Sequence, residues 1–341
     1  MELDDLDPDD WENRSSQVDD SDSSVDSSAD DLELDFDSDD DLTITPVSLN
    51  FKDLLLKLDT MIDHLMNMVS MRLKEDHEFF QELLTIFDSL ILSTHRLRCV
   101  QYLYFYIASL QDSFADDFMG LLAGKILDFS QPIVTRIAAA SYLASFVARA
   151  KFIDQVSAKA CIRLLNQCAL KYLDSYNGGL VTRKTIVNHG IFYSMVQAIM
   201  YLFCFRWKQL IDLNASTGQL PIELASFQRV LTSKLCPFKV CSKHIIEEFA
   251  RITHSYNMLY CYPFMSSDMR IPGSNEIVEK TDSEKVTTSL VLDRLESFFP
   301  FDPLHLPISK KRIAVIYQEW EDNDQDEIEN LDHQLSGTSF E

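Results

Sequence analysis

Cys236, Cys241, His244, His254 and Cys261 are the residues of this chain whose types most suggest chemistry, because thiolate and imidazole are the ligands zinc prefers. Their spacing, C-x4-C-x2-H followed by a distant His and Cys, matches no common finger, and all five sit among apolar residues of helical period. No metal site is therefore expected. Gly120 and Gly124, in "MGLLAG", follow no strand and precede no Lys-Ser/Thr, so they predict close helix packing rather than a phosphate loop. The eight histidines include no HExxH and no evident Ser/His/Asp arrangement. Asp116 and Asp117 read as a hydrated pair near a helix start, where negative charge is favourable, and not as an acid/base dyad. The chain offers no catalytic constellation and no cofactor site, and is expected not to be an enzyme.

A different chemistry is open to the serines of the N-terminal tract. Ser16, Ser23, Ser27, Ser28 and Ser38 are each followed three residues later by Asp, the pattern that acid-directed kinases use. Any serine in an Asp-rich tract fits that pattern, so phosphorylation and an unmodified acidic tract both stay open. Residues 1–43 hold 19 Asp/Glu against Arg14, and residues 319–341 hold 9 against no Lys or Arg. That leaves 26 acids and 29 bases between 44 and 318, a nearly neutral body behind an overall charge of −24. Dense like charge with few apolar residues cannot offset its ordering entropy, so residues 1–46 are expected to be disordered. The body lacks a basic footprint, and no direct sequence-specific nucleic-acid binding is expected. Seven scattered cysteines with no signal peptide predict reduced thiols in a cytosolic or nuclear protein. The longest apolar run, 191–205, closed by Arg206, is too short to span a bilayer comfortably and reads as a buried helix, with no membrane role.

The elements that position these residues are helices throughout. Leu54, Leu55, Leu58, Ile62, Leu65 and Met66 recur at three and four, as do Phe79, Phe80, Leu83, Leu84 and Phe87. The pattern predicts helices near 50–70, 76–92, 97–110, 113–128, 132–150, 154–174, 190–211, 221–233 and 242–261, with no run of alternation long enough for a sheet. Paired helices restart roughly every 40 residues, which fits an all-α, HEAT-repeat-like α-solenoid with disordered acidic tails. The expected domains are the acidic segment 1–46, the helical repeat body 47–303, and a C-terminal helix with acidic tail, 304–341. An open solenoid end bares apolar surface, so the first repeat is expected to need a cap. In "FFPFDP", Phe298, Phe299 and Phe301 are apolar anchors on a path stiffened by Pro300 and Pro303, expected to close the C-terminal end of the solenoid. "SKKR", 309–312, fits either a nuclear-import cluster or a solvated helix start.

Arg149 and Lys151 interrupt the most apolar helix, just before Phe152 and Ile153. At about 100° per residue, Ile133, Ile137, Ala140, Leu143, Ala144 and Val147 form one stripe. Arg149 falls outside it, and Lys151 falls near it, with a stem that can lie on apolar surface and an ammonium that can reach water. Two readings stay open: cations complementing the C-terminal helix dipole, or a surface that a partner protein reads.

Four blocks, "SFVARAKFI" (145–153), "FYSMVQAIMYLFCFRWKQL" (192–210), "FFPFDP" (298–303) and "IYQEW" (316–320), resemble in order the RNA polymerase I-specific transcription initiation factor family known as TIF-IA. The likeness covers about 50–320. It implies an all-helical HEAT-repeat factor without enzymatic activity, in the nucleus and nucleolus. Its implied partners are RNA polymerase I subunits and subunits of the promoter-bound selectivity factor at ribosomal RNA genes, between which it bridges. The family's Leu-Ala-Arg-Ala-Lys stretch, implicated in contacting the selectivity factor, reads here Val147, Ala148, Arg149, Ala150 and Lys151. The family also carries a comparable helical half before an acidic loop. This chain begins at what resembles that loop, so the likeness implies that about half the family fold lies outside it. Helical pattern alone equally supports a generic α-solenoid adaptor or scaffold with no polymerase I role.

Overall fold

The computed structural model describes residues 51–95, 97–176, 183–211, 221–266 and 299–320. The chain divides into two units, Met1–Leu54 and Leu55–Glu341. Of the first, only 51–54, the opening turn of the first helix, is described. The acidic tract with Ser16, Ser23, Ser27, Ser28 and Ser38, the tail beyond Trp320, and Phe298 lie outside the described residues.

The second unit is helical, and its described residues hold no strand, only an isolated antiparallel bridge between Ala150 and Tyr317. In chain order the helices are α1 (Phe51–Glu75), α2 (Phe79–Ile86), α3 (Gln101–Ala108), α4 (Asp112–Leu127), α5 (Ile133–Arg149) and α6 (Gln155–Ser175). They continue with α7 (Arg183–Asn188), α8 (Gly190–Leu210), α9 (Phe227–Leu231), α10 (Lys243–Ser255), α11 (Tyr262–Ser266) and α12 (Pro307–Ile316). The long apolar periodicities gave the helices that were expected. The differences fall where local chemistry intervenes. Helix α2 runs on as a π-turn, Phe87–Ile91. The helix expected over 221–233 is reduced to a 3-10 turn at Ile222–Leu224 and the short α9. Helix α10 stops early because Asn257 takes a left-handed φ of 52°, which Asn tolerates.

Packing follows paired repeats. Helix α5 packs on α4 and more extensively on α8, while α8 packs on α6 and α10. Neighbouring pairs α4/α5 and α6/α8 thus meet through their second helices, as in a HEAT-like stack. Residues 137–149 of α5 are all buried, as an all-round apolar helix requires when layers cover both sides. Phe87 ties four helices together, meeting Tyr104, Phe118 and Tyr142 edge-on at 5.0, 4.8 and 5.2 Å. On α1, Ile62, Met66, Val69 and Leu73 are buried, whereas Met61, Met68 and Met71 stay more than 60% exposed. The first described helix thus leaves part of its apolar surface exposed.

Two expectations are corrected. Gly120 and Gly124 do not mediate close helix packing: an added Cβ at either meets no heavy atom within 4 Å. "FFPFDP" does not close the C-terminal end of the stack either. Residues 299–320 form a strap that crosses the middle of the body, reaches its first helix and returns to α5 and α8. Phe299 stacks on Tyr201 of α8 at 3.8 Å. The Gln101 amide of α3 donates to the Pro300 carbonyl at 2.8 Å. Phe301 N–H donates to Ser145 Oγ of α5 at 3.0 Å, and its fully buried ring meets Tyr102, Phe105, Tyr142 and Phe146. Helix α12 then reaches α1. There the buried Asp59 carboxylate accepts from Ile308 N–H at 2.6 Å, Ser309 N–H at 2.8 Å and Ser309 Oγ at 2.6 Å. An acid on the first N–H groups of a helix is a favourable cap. One turn on, Arg312 pairs with Asp63. "SKKR" is therefore not simply a solvated helix start: Ser309 and Arg312 are latched to α1, and Lys310 and Lys311 are exposed.

Candidate functional site

The site builds outward from the end of α5. A helix leaves its last carbonyls without intrahelical donors, and α5 ends abruptly because Ala150 turns extended at ψ 108°. Two distant segments supply the donors. Arg206 of α8 donates from Nε to the Val147 carbonyl at 3.0 Å and from Nη1 to Ile153 at 3.0 Å; its Nη2 bonds the Ala150 carbonyl. Nη1 also reaches Gln209 Oε1 at 2.9 Å. The strap supplies the rest: Gln318 N–H donates to the Arg149 carbonyl at 2.6 Å, and Lys151 N–H donates back to Ile316 at 2.9 Å. Arg136 does similar work one layer earlier, donating from Nε and Nη2 to Ile126 at the end of α4.

Arg149 departs from its expected place. It is only 6% exposed. Its Nε donates to Tyr201 Oη at 3.2 Å, its Cζ lies 4.4 Å from the Phe205 centroid and 5.2 Å from that of Tyr317, and Asp302 stands 3.8 Å from Nη2. Burial works against its charge, but Tyr201, Tyr317 and Asp302 outweigh that penalty and hold the guanidinium pKa above its ordinary value. Desolvation in the same cluster pushes the Tyr201 phenol up to about 12.

Of the stretch singled out as a partner surface, Val147, Ala148 and Ala150 are completely buried and Arg149 nearly so, while Lys151 is exposed. Arg149 lies outside the apolar stripe and is nevertheless buried, for a physical reason. A wheel knows only one helix, and the polar side of α5 is roofed by α8 and by the strap. The aromatic residues of 201–205 and 317–320 were the signal available, since rings at such density invite a stacked guanidinium. Arg206, read only as the close of an apolar run, was missed. Beside the cluster lies a cavity of about 190 Å³ lined by Phe205, Trp207, Lys208, Gln318, Glu319 and Trp320, among others.

Among the described residues no three His/Cys/Asp/Glu side chains gather closely enough to hold a metal ion, and no helix is long and apolar enough to cross a membrane. Cys261 shares a buried contact with Thr253 Oγ1 at 3.9 Å, and burial pushes its thiol up to about 11.

The four sequence blocks, separated by up to 170 residues, meet around one guanidinium: Arg149 from the first, Tyr201 and Phe205 from the second, Asp302 from the third, Tyr317 and Gln318 from the fourth. The family described as RNA polymerase I specific transcription initiation factor RRN3 matches residues 1–325. The RNA polymerase I-specific transcription initiation factor RRN3 of Mus musculus is 36% identical over 259 residues, covering 74% of this chain and 38% of the relative. Its namesake from Schizosaccharomyces pombe is 30% identical over 308 residues, covering 86% of this chain and 49% of the relative. A crystal structure of RNA polymerase I transcription initiation factor Rrn3 superposes with a TM-score of 0.67 at 27% identity, over 80% of this chain and 56% of that one. The chain thus spans half or less of the length of these two curated relatives.

Proposed function

This chain belongs to the RNA polymerase I-specific transcription initiation factor RRN3 family, and from that premise we propose that it acts in RNA polymerase I initiation in the nucleus, at the nucleolar ribosomal RNA genes. It works as a protein–protein bridge between polymerase subunits and the promoter-bound selectivity factor, without catalysis, cofactor or sequence-specific contact to nucleic acid. The observation that carries the reading is the convergence of the four blocks on Arg149. Residues spread along the chain are used to build one rigid aromatic–cation joint, and the turn leaving that joint presents Lys151 to solvent. In this reading the stretch Val147–Lys151 serves the selectivity factor through Lys151, whose ammonium suits a carboxylate-bearing partner, while Arg149 holds the strap beneath it. The serines Ser16, Ser23, Ser27, Ser28 and Ser38 belong to the same proposal as phosphorylation sites that tune the charge of the acidic tract.

The test is capture of purified RNA polymerase I and purified selectivity factor by this chain, with Lys151→Glu alongside. Retention of both partners, with the selectivity factor lost at least tenfold on charge reversal, is the expected result. Retention of neither, with transport cargo enriched from nuclear extract instead, overturns the reading in favour of a generic adaptor.

A further inference from the structure

We infer that Arg206, buried in α8, is the positioning residue that sets the direction of Lys151. The inference rests on the reading that Lys151 meets the partner, and it concerns how that contact is aimed. In a helix continuing past Arg149, the Lys151 N–H would donate to the Val147 carbonyl, four residues back. Here it does not: Arg206 Nε occupies the Val147 carbonyl at 3.0 Å, and the freed Lys151 N–H donates to Ile316 of the strap at 2.9 Å. Arg206 thus supplies, from a side chain, the donor that the end of α5 no longer gives the Val147 carbonyl, while the Lys151 N–H is committed to the strap.

The rest of the guanidinium secures the same choice. Its other nitrogens hold the carbonyls of Ala150 and Ile153, so one planar group grips the last turn of the helix, the exit residue and the far end of the turn carrying Lys151. Arg206 is 2% exposed, and the partners its nitrogens bond are neutral oxygens, the three carbonyls and Gln209 Oε1. Burial lowers its pKa, with Asp154 acting in the opposite sense. A planar fork can grip several carbonyls at once, whereas an ammonium is a compact point charge that cannot span them. Without the fork, Lys151 N–H can return to Val147, extending α5. Each added helical residue turns the chain by about 100°, so Lys151 would swing from its present direction and let go of Ile316. A buried arginine thus controls an exposed lysine and the register of the strap through the three carbonyls it bonds around the end of α5.

The experiment uses the full chain with Arg206→Lys, Arg206→Met, Lys151→Ala and the double variant Arg206→Met/Lys151→Ala. Amide exchange is followed at Lys151, at Gln318 and at Leu143 in the centre of α5, together with binding of purified selectivity factor. The expected result is that both Arg206 variants speed exchange at Gln318 about tenfold or more while Leu143 stays protected, and that charge alone, in Arg206→Lys, does not rescue. Binding should fall as far in Arg206→Met as in Lys151→Ala, and the double variant should be no weaker than either single change, the sign of two residues acting as one unit. Unchanged exchange at Gln318 in the folded Arg206→Lys protein overturns the inference, as does equal acceleration at all three amides. Normal binding by Lys151→Ala instead overturns the partner reading, and the exchange result then still decides the role of Arg206.

Discussion

The guanidinium carbon of Arg149 lies 4.4 Å from the centroid of the Phe205 ring, outside the apolar stripe of α5. That contact makes Arg149 a packing residue. Replacing it with Ala removes the Tyr201 bond, the support of Gln318, buried stem packing and a desolvated cation–π stack, the last alone worth about 2 kcal/mol. Arg149→Ala is expected to lower stability by roughly 3 kcal/mol, whereas Lys151→Ala should stay within about 0.5 kcal/mol. Denaturant titration of the two single variants checks this, and equal midpoints would place Arg149 back at the surface. Changing both at once mixes packing with recognition, so the single changes are the informative ones.

Phe301 is the strap's anchor. Its ring is fully buried among Tyr102, Phe105, Tyr142 and Phe146, and its carbonyl accepts from Tyr317 Oη at 2.8 Å. Phe301→Ala should cost about 3–5 kcal/mol, as other Phe-to-Ala cavities do. It should also raise exchange at Gln318, because the strap loses its hold on α5. A loss below about 1 kcal/mol would mean that the strap is only loosely laid on the body.

Acid should loosen α12 from α1. The bond from Arg312 holds the Asp63 carboxyl below its usual value of 3.8, with Arg312 and His64 charges acting in the same sense against desolvation. A carboxylate lowered in the folded state adds stability that is fully present above its unfolded pKa and is lost as pH falls through the folded one. Stability should therefore be flat in this respect near neutrality and decline below about 4. Asp63→Asn should remove that part of the slope and lower stability at pH 7. An unchanged slope in the variant would show that the pair contributes nothing measurable.

Gly120→Ala and Gly124→Ala should stabilise the protein. Both glycines lie inside α4 with open space where a Cβ would sit, and glycine in a helix interior costs about 0.5–1 kcal/mol relative to alanine. The double variant should gain about 1–2 kcal/mol in thermal or chemical unfolding. A loss would reveal a close approach at that face.

What could be read from sequence was whatever a single helix decides. The burial of α5 on all sides follows from its Ile, Val and Ala content, and Asp154 as the start of α6 is confirmed by its bond from Ser157 N–H at 2.8 Å. Relations between segments were hidden. Asp59 is one polar residue among the apolar positions of an amphipathic helix, and nothing beside it in sequence signals that it caps a helix 250 residues away. Arg206 looked like a boundary because its partners are backbone carbonyls, which carry no sequence signature. Gly120 and Gly124 misled because a small-residue spacing says that a close approach is possible, not that a neighbour is present.

The bond between Asp59 and Ser309 joins positions 250 residues apart, and that separation has a consequence for the ribosome. At about 5–20 residues per second, Asp59 is added to the chain roughly 12–50 s before Ser309. Most of the repeat body can assemble from neighbours as it emerges, but the strap cannot be threaded until translation is nearly complete. During that interval Asp59 is a carboxylate without its helix, and the groove that receives Phe301 is an open apolar trench. A nascent chain stalled before residue 299 would therefore hold a stacked body with an unfilled seam, the form most exposed to chaperones and to pairing with another copy in the same condition.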